Sequence, residues 1–467
     1  MKSNPHSHKQ DFVRNLLQSK QQRLENPTPE DTLFRLFNVS DFHTLTMDVF
    51  GVNENKELIE VTGFTAWKEA ALRHNEYAFE AARLTPQGNE IQSIRQDGQT
   101  KTMLNFSGYN YLGYSHHPLV IEAAKVAIDR YGIGSGSSPV SSGTTKLHND
   151  FANDLVDFFG VPNWGAALFS SGYSVNVGAL CSVLSPGHYA ILDQNTHMSI
   201  VEGAQISGAH ILYFEHNNMA HLEQQLKKVA DKNKRIIVCS EGVFSADGDF
   251  GKIAKVVELA KKYGALTLVD EAHSILLTGK YGRGVCDEQG VLSEIDFLVL
   301  TFSKGFGGVG GALIANKEIT DYVNWYSRCR MFSCALDPGV TGGMQKALEM
   351  SQGSDGDQRR RTLHNNAKRL KTLLSPIFNL GETNSWVIPV IYGSDKITLP
   401  LYSYLQDIGL EGSTMQYPAV PKEKARIRLF VTANHTDKNL QDARDILLQA
   451  AQKFNLKNFP YTPGSAD

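Results

Sequence analysis

The chain of 467 residues lacks several features that would place it in a simple class of protein. Its five cysteines include no CxxC pair, and a sparse, odd set of this kind indicates free thiols in a reducing compartment. Charge of one sign is not in excess, because 46 Lys and Arg stand against 49 Asp and Glu. The net charge of −3 argues against nucleic acid as a partner. We find no internal repeat and no low-complexity tract.

Long apolar runs are missing as well. No stretch approaches the roughly 18 apolar residues of a transmembrane helix, so no transmembrane segment is predicted. Residues 1–27 are polar and rich in Gln and basic residues, without the apolar core of about 7–15 residues that marks a signal peptide. We therefore expect a cytoplasmic protein, and peripheral contact with a membrane stays open.

Apolar material for a large core is present. Hydrophobic residues make up 41% of the chain, which excludes a disordered protein. At about 150 residues per domain, the length predicts two or three domains. The patterns below divide the chain into an N-terminal arm at 1–104, a large domain at 105–335 and a smaller α+β domain at 336–467.

The N-terminal arm has the least regular pattern. Thr28, Pro29 and the acidic residues after them predict the start of a helix, because all three features suit a helix N-terminus. The apolar residues between positions 33 and 50 leave two interpretations open. The arm either packs on the main body or offers a docking surface to a partner.

The large domain alternates short apolar runs with helical stretches, a pattern typical of parallel α/β proteins. Only residues 302–310 separate the last two runs, fewer than the dozen or so that a parallel crossover needs. We therefore predict an α/β fold with a seven-strand, mostly parallel sheet that contains one antiparallel strand. The predicted strands are Ala166–Ser170, Tyr189–Asp193, Ile211–Phe214, Ile236–Ser240, Leu266–Asp270, Phe297–Thr301 and Gly311–Ala315. The predicted elements of the smaller domain are helices at Arg359–Leu374 and Leu440–Phe454 and strands at Ser385–Ile391 and Arg426–Thr432.

Candidate chemistry follows these strands at their carboxyl ends, where open α/β sheets bind ligands. Ser171-Gly172-Tyr173 follows the first strand and opens a predicted helix, whose N–H groups suit an anion. Lys304 stands among hydroxyls and glycines after the sixth strand. It is either a solvated loop lysine or a buried lysine that can form a Schiff base.

The segment Asp270-Glu271-Ala272-His273-Ser274 at the end of the fifth strand has two interpretations. It has the letters of a helicase-type DEAH box, but the GxxxxGK[ST] phosphate loop of such ATPases is absent from the sequence. The alternative is an aspartate that keeps a heterocyclic nitrogen protonated, as pyridoxal phosphate requires. A helix N-terminus for phosphate, an aspartate for the ring nitrogen and a lysine for the aldehyde together predict pyridoxal 5'-phosphate as the cofactor and no metal.

Longer blocks resemble the α-oxoamine synthases, pyridoxal-phosphate enzymes of fold type I that include serine palmitoyltransferase, 8-amino-7-oxononanoate synthase and 2-amino-3-ketobutyrate CoA ligase. The resemblance runs from about residue 104 to about residue 448. It implies a fold-type-I transferase and a homodimer with shared active sites. The blocks are NFSGYNYLGYSHHP, YGIGSGSSPVSSGTTKLH, LFSSGYSVNVG, SEGVFSADGD, LVDEAHS, GRGV, TFSKGFGGVGG and ARIRLFVTANH.

The resemblance also implies roles for single residues around the cofactor. Lys304 would bind the cofactor covalently and later carry a proton, and Asp270 would pair with the pyridine nitrogen. His273 would hydrogen-bond the phenolic oxygen, and His197 would stack on the ring. Further contacts to the phosphate and beneath the cofactor are implied for Ser171, Gly172, Tyr173, Thr301, Ser303, Glu241 and Ser245.

Two further implications concern the substrate and the neighbouring subunit. Asn110 and Arg428 resemble the residues that hold the carboxylate of the amino acid. Arg426 is an alternative, because strand alternation puts both arginines on one face. Ser333 or Cys334 lies in the segment that the neighbouring subunit contributes.

The implied reaction is a decarboxylative condensation of a small α-amino acid (Ser, Ala or Gly) with a fatty acyl thioester, carried by CoA or an acyl-carrier protein. It yields an α-amino ketone, carbon dioxide and free thiol. Pro139 stands where an arginine is common in members that use acidic or CoA-linked acyl groups, which disfavours succinyl-CoA. The alternatives are another fold-type-I reaction such as transamination, or a catalytically silent partner subunit, against which the presence of Lys304 argues.

Overall fold

The predicted helix start at Thr28 is confirmed. The structure, a computed structural model, describes residues 27–51, 59–230 and 233–456, so the first 26 residues of the predicted arm lie outside the described residues. Helix α1 (Pro29–Phe37) begins with a capping box, in which the Asp31 N–H donates to Thr28 Oγ1 at 3.1 Å. Leu33 of α1 shares a buried cluster with Trp67 and Leu399, so the described part of the arm packs on the body.

The seven-strand sheet is confirmed, including its one reversed strand. Its order is β4-β10-β9-β8-β7-β5-β6, and β10 is antiparallel to both of its neighbours. The short glycine-rich connection before β10 therefore joins antiparallel strands, as the crossover argument predicts. The strands are β4 (Trp164–Phe169), β5 (Tyr189–Asp193), β6 (His210–Phe214), β7 (Ile236–Glu241), β8 (Leu266–Asp270), β9 (Phe297–Thr301) and β10 (Gly311–Asn316).

Helices cover both faces of this sheet because alternate strand residues point to opposite sides. Along β9, Leu298 and Leu300 belong to one buried cluster, whereas Phe297 and Val299 belong to another. The helices before the C-terminal region are α2 (Ile59–Arg73), α3 (Pro118–Tyr131), α4 (Lys146–Phe159), α5 (Gly172–Val183), α6 (Met198–Ser207), α7 (Met219–Val229), α8 (Ile253–Lys262), α9 (Val285–Glu288), α10 (Lys317–Tyr326) and α11 (Arg328–Met331).

Two smaller sheets flank the large one. β11 (Val387–Gly393), β14 (Ala425–Phe430) and β13 (Ser413–Met415) form an antiparallel sheet in the order β11-β14-β13. β14 ends two residues before the predicted end, because the Thr432 N–H donates to His435 Nδ1 at 3.0 Å in a turn. The remaining helices are α12 (Pro338–Ser351), α13 (Ser354–Leu374), α14 (Thr398–Asp407) and α15 (Asp437–Phe454).

The other small sheet joins distant parts of the chain. β1 (Ala82–Arg83), β2 (Glu90–Ile94) and β3 (Thr100–Asn105) lie in the order β1-β2-β3-β12, and β3 is parallel to β12 (Leu410–Glu411). The predicted boundary at residue 104 thus falls within β3, and the division into three domains stays a prediction. None of the described helices is long and apolar enough to cross a membrane.

Arg95 ties this N-terminal sheet region to α14, and its removal should loosen that contact. Its buried guanidinium contacts the Asp407 carboxylate and donates to Ser403 Oγ at 3.0 Å. Because Asp407 is half exposed, we expect Arg95→Met to lower the free energy of unfolding by only about 1–2 kcal/mol. Urea unfolding followed by circular dichroism measures this loss.

Lys101, whose Nζ lies 3.9 Å from the same carboxylate, is the control, and Lys101→Met should lower the free energy of unfolding by less than about 0.5 kcal/mol. Equal losses in the two variants would contradict the assignment.

Candidate active site

One cavity lies at the carboxyl edge of the large sheet. Parallel strands end at the same edge, which brings residues from five segments together there. Most of the residues predicted from the sequence meet in this cavity. Its lining residues are Gly172, Tyr173, Asn176, His197, Ser199, Glu241, Ser245, Asp270, Ala272, His273, Thr301 and Lys304.

Lys304 lines the cavity three residues after β9 and is half-buried. Burial lowers the pKa of its ammonium to about 8, although Asp270 and Glu241 raise it. The charge of Arg428 lowers this pKa further. The Nζ atom lies 5.7 Å from the centre of the Tyr109 ring. With a pKa of about 8, about a tenth of Lys304 is a neutral amine at pH 7, and this is the form that attacks a carbonyl.

Asp270 places a carboxylate at the floor of the cavity, where β8 ends. Its side chain is only 5% exposed. One oxygen accepts from the Ala272 N–H at 2.9 Å, and the other accepts from Asn176 Nδ2 at 2.7 Å. These bonds fix the carboxylate and leave lone pairs for a cationic N–H in the cavity.

His197 and Glu241 belong to one hydrogen-bonded unit. The His197 N–H donates to Glu241 Oε1 at 2.5 Å, and His197 Nδ1 lies 2.8 Å from Ser199 Oγ. Burial lowers the pKa of His197 despite the opposing charge of Asp270. Burial, with Asp270 nearby, holds the pKa of Glu241 well above its usual range. The unit presents a neutral imidazole to the cavity.

His273 lines the cavity and is only 4% exposed. Burial keeps its pKa well below the usual value, and the charges of Lys304 and Arg428 act in the same direction. Its Nδ1 lies 2.8 Å from the Tyr111 hydroxyl, and its backbone carbonyl accepts from Trp386 Nε1 at 3.0 Å. The imidazole is therefore neutral and fixed in orientation.

The N-terminus of α5 forms an anion cradle. Ser171 caps the helix, since its Oγ accepts from the Ser174 N–H at 3.1 Å. The first N–H groups of the helix, those of Gly172 and Tyr173, have no intrahelical partner. A Cβ atom at Gly172 would collide with the Thr301 hydroxyl, so glycine alone lets the two segments approach.

The side chains of three predicted residues make no recorded contact with Ser171 or Gly172 of the cradle. Ser303 is exposed and does not line the cavity. Ser333 Oγ lies 3.4 Å from Ser170 Oγ, beside the cradle of the same chain. The Tyr173 side chain is exposed and its hydroxyl contacts Glu202. Their side-chain roles toward a phosphate stay predictions.

The structure distinguishes the two candidate arginines. Arg426 is occupied, because its NH1 contacts Asp247 Oδ1 at 2.5 Å and donates to the Ala246 carbonyl at 3.1 Å. Arg428 donates to the Ser245 carbonyl and to Ser413 Oγ, both at 2.9 Å. Among the described residues no carboxylate lies within ion-pair distance of Arg428, and its Nε has no partner. Arg428 is thus the guanidinium with capacity left for a ligand.

Asn110 does not join the lining of the cavity. Its Nδ2 donates to the Gln87 carbonyl at 2.9 Å, and its Oδ1 accepts from the Ser115 N–H at 3.2 Å. Within one chain these bonds hold the segment between β3 and α3 in place. Contact of Asn110 with a substrate carboxylate stays a prediction.

Sequence reasoning missed Asn176 and Tyr109. Asn176 also donates to Ser199 Oγ at 2.9 Å, and its Oδ1 is buried without a partner among the described residues. The available signal was a single amide in the otherwise apolar middle of GYSVNVGAL. Tyr109 lies within the block NFSGYNYLGYSHHP, but the sequence of that block does not indicate that the Tyr109 ring lies near Lys304.

One group outside the cavity has the residue types of a metal site, namely His216, Asp247 and Asp249. Each is already engaged. His216 lies 2.9 Å from both Asp193 and Asp249, and Asp247 pairs with Arg426. Burial opposes protonation of His216, but hydrogen bonds to the two aspartates outweigh it and raise its pKa to about 10. A protonated His216 therefore pairs with both Asp193 and Asp249.

The cavity fits pyridoxal phosphate in three respects. The helix cradle suits a dianionic phosphate, the fixed Asp270 carboxylate suits a protonated ring nitrogen, and the Lys304 amine suits an aldehyde. The orphaned Asn176 Oδ1 shows a polar lining that the protein alone does not satisfy. The residues present therefore match the cofactor predicted from the sequence.

Comparison with known proteins agrees with this geometry. A family model described as "Aminotransferase class I and II" matches residues 101–447. The 8-amino-7-oxononanoate synthase of Thermoanaerobacter pseudethanolicus is 34% identical over 357 residues, which cover 76% of this chain and 89% of that protein. A serine palmitoyltransferase from S. paucimobilis superposes with a TM-score of 0.79 at 30% identity, covering 86% of this chain and 100% of the other. The Sphingomonas wittichii serine palmitoyltransferase superposes with a TM-score of 0.77 at 31% identity, covering 84% of this chain and 97% of the other.

The fold is that of the fold-type-I pyridoxal-phosphate transferases. Within the class I and II aminotransferase family, the chain belongs to the α-oxoamine synthases, which are pyridoxal-phosphate-dependent acyltransferases. These enzymes condense an amino acid with an acyl thioester and release carbon dioxide.

The lowered pKa of Lys304 gives a testable pH dependence. In cofactor-free protein we expect Lys304 to react with an amine-acylating reagent with a midpoint near pH 8, because only the neutral amine is nucleophilic. Peptide mass spectrometry across pH measures this midpoint, and exposed lysines in the same digest give the ordinary profile near pH 10.4. Asp270→Asn removes a charge that raises the pKa of Lys304 and should move the midpoint down. A Lys304 profile that coincides with those of the exposed lysines would sink this assignment.

Proposed function

We propose that this protein catalyses the decarboxylative condensation of a small α-amino acid (Ser, Ala or Gly) with a fatty acyl thioester. The observation that carries the proposal is one cavity lined by the Lys304 amine and the Asp270 carboxylate, with the Arg428 guanidinium close enough to lower the pKa of Lys304 and without a carboxylate partner among the described residues. The first two suit the cofactor, and Arg428 suits the carboxylate that distinguishes an amino acid from a simple amine.

The small amino acid in the proposal is what the family resemblance implies. Buried side chains, among them Asp270 and His273, line the cavity that it would enter. The proposal includes Ser, Ala and Gly as substrates, and the assay below distinguishes them.

When bound, pyridoxal phosphate supplies an electron sink for the negative charge that develops at the α-carbon. The protein positions the reacting groups around that sink. Asp270 would hold a proton on the ring nitrogen, the α5 cradle would hold the phosphate, and His197 lines the cavity. Lys304 Nζ, as a neutral amine, can accept the α-proton and later return one.

The bonds of the proposed reaction balance without a further co-reactant. The α-carbon bonds to the thioester carbonyl carbon, and the thiolate leaves. The α-carboxylate then leaves as carbon dioxide, and the α-carbon regains a proton. Arg428 orients the carboxylate before it departs, and the His273 imidazole is placed to donate a hydrogen bond to an oxygen in the cavity.

The acyl group is the least constrained part of the proposal. Pro139 disfavours an acidic acyl group, but it lines a separate cavity together with Arg330. Arg330 donates to the backbone carbonyls of Leu168 and Asn324, so that cavity does contain a cation. The proposed donor is a fatty acyl thioester on CoA or an acyl-carrier protein. The assay below tests an acidic acyl group as well.

The homodimer with shared active sites is part of the same proposal. Ser333 follows α11 and lies beside Ser170 at the mouth of the cradle, with Phe332 82% exposed next to it. An exposed aromatic residue at the mouth of a site is a suitable contact for a second copy of the chain.

The reaction itself is tested by a matrix of Gly, Ala and Ser against acyl-CoA and acyl-carrier-protein donors of increasing length, with one dicarboxylic acyl-CoA. We expect thiol and carbon dioxide in equal amounts only when amino acid and acyl donor are both present. Lys304→Ala should abolish this turnover and retain the far-UV circular dichroism of the parent, because Lys304 is only half-buried. Formation of a keto acid without thiol release would indicate transamination instead.

Arg428 should govern affinity for the amino acid. We expect Arg428→Gln to raise the KM for the amino acid by roughly 10-fold to 100-fold, since a hydrogen bond to a charged group contributes about 1.5–3 kcal/mol. Steady-state kinetics with the acyl donor saturating measure the change. Arg426→Gln is the matched control on the same face of β14. We expect it to raise the KM by less than about 3-fold, because Arg426 forms an ion pair with Asp247. The reverse order would identify Arg426 as the carboxylate ligand.

A further inference from the structure

Tyr111 contacts His273 from behind the cavity, and it is not among the lining residues. Its side chain is 0% exposed, and its hydroxyl lies 2.8 Å from His273 Nδ1. The Tyr111 ring packs edge-on against Trp386 and Phe430. The Tyr111 carbonyl accepts from the Ala433 N–H at 2.7 Å, which fixes the segment to the end of β14. The hydroxyl therefore cannot turn away from the imidazole without disturbing a packed core.

The protonation state of His273 limits how this contact can form. Burial and the neighbouring cations Lys304 and Arg428 disfavour the imidazolium, and His197 acts in the same direction. A neutral imidazole has one N–H donor and one bare nitrogen acceptor. Either Tyr111 donates to Nδ1 and the ring proton is on Nε2, or Nδ1–H donates to the Tyr111 oxygen.

Hydrogen-bond satisfaction decides between the two arrangements. Among the described residues, His273 Nδ1 is the single recorded partner of the Tyr111 hydroxyl. If Nδ1 carried the proton, the buried Tyr111 O–H would have no acceptor, which is costly. Burial raises the pKa of Tyr111 well above its usual value, so the phenol keeps its proton and must donate it.

We propose that Tyr111 is a positioning residue that fixes His273 as the Nε2–H tautomer and aims this N–H into the cavity. The inference rests on the proposed function for its consequence but not for its geometry. His273 then offers a hydrogen-bond donor to an oxygen of the cofactor or of the acyl thioester. It cannot accept a proton through Nε2, and proton abstraction is left to Lys304.

The tautomer can be read directly from the ring nitrogens. Protein labelled with ¹⁵N in its histidine rings is studied by solid-state NMR, as holoenzyme and after removal of the cofactor, and His273→Gln identifies the His273 signals by difference. We expect a bare Nδ1 and a protonated Nε2 in both forms. A protonated Nδ1 in the wild-type protein overturns the proposal, whether or not any variant folds.

Tyr111→Phe removes only the hydroxyl and should leave a mixture of the two tautomers. We expect kcat to fall about 10-fold while the KM for the amino acid stays within about 2-fold, because the lost interaction acts on the reacting state. Tyr114→Phe is the matched control, since Tyr114 is equally buried and its hydroxyl lies 3.4 Å from Asp355. It should leave the His273 signals and kcat unchanged.

Unchanged His273 signals in Tyr111→Phe would overturn the positioning role. The tautomer in cofactor-free protein is independent of the reaction, so failure of the proposed function would appear in the thiol-release assay and not in these spectra. The two failures are therefore distinguishable.

Discussion

The burial of the Asp270 carboxylate at the end of β8 is the constraint on which the site depends. A carboxylate that is only 5% exposed needs compensation, and the protein supplies two neutral donors, the Ala272 N–H and the Asn176 amide, instead of a cation. Its remaining charge acts on the rest of the cavity. It raises the pKa of Lys304 against burial and helps to hold the pKa of Glu241 above its usual range. A cationic ring nitrogen would complete the compensation that the donors begin.

Residues outside the lining contact the cavity residues from distant parts of the chain. The large sheet and the loops after its strands supply the lining, whereas Tyr109 lies near Lys304, Tyr111 contacts His273, and Arg428 of β14 donates to the Ser245 carbonyl. Neutral imidazoles at His197 and His273 line the cavity, where Lys304 and the nearby Arg428 supply positive charge. This distribution favours ligands that bring negative charge, in a protein whose total charge is close to zero.

The sequence predicts the large sheet well because its signals are local. Hydrophobic runs marked each strand within two residues at either end, and the short loop 302–310 was enough to identify the reversed strand. The position of Lys304, Asp270 and His273 in one cavity was predictable because each lies at a strand end, or within three residues of it, on the same edge of the sheet. Asn176 was not predictable, because its partner Asp270 is 94 residues away in sequence and its neighbours in α5 are apolar. The choice between Arg426 and Arg428 was also out of reach, since it depends on Asp247 occupying one of them.

The pairing of β3 with β12 has a consequence for the biogenesis of the enzyme. Leu104 pairs with Leu410, and the backbone of Phe106 bonds to that of Phe430. During synthesis the large sheet can form while the later residues are still inside the ribosome. The segment that carries Tyr109 and Tyr111 lacks its backbone partners until the last quarter of the polypeptide has emerged. The large sheet can thus be complete before Tyr109 reaches Lys304 and Tyr111 reaches His273.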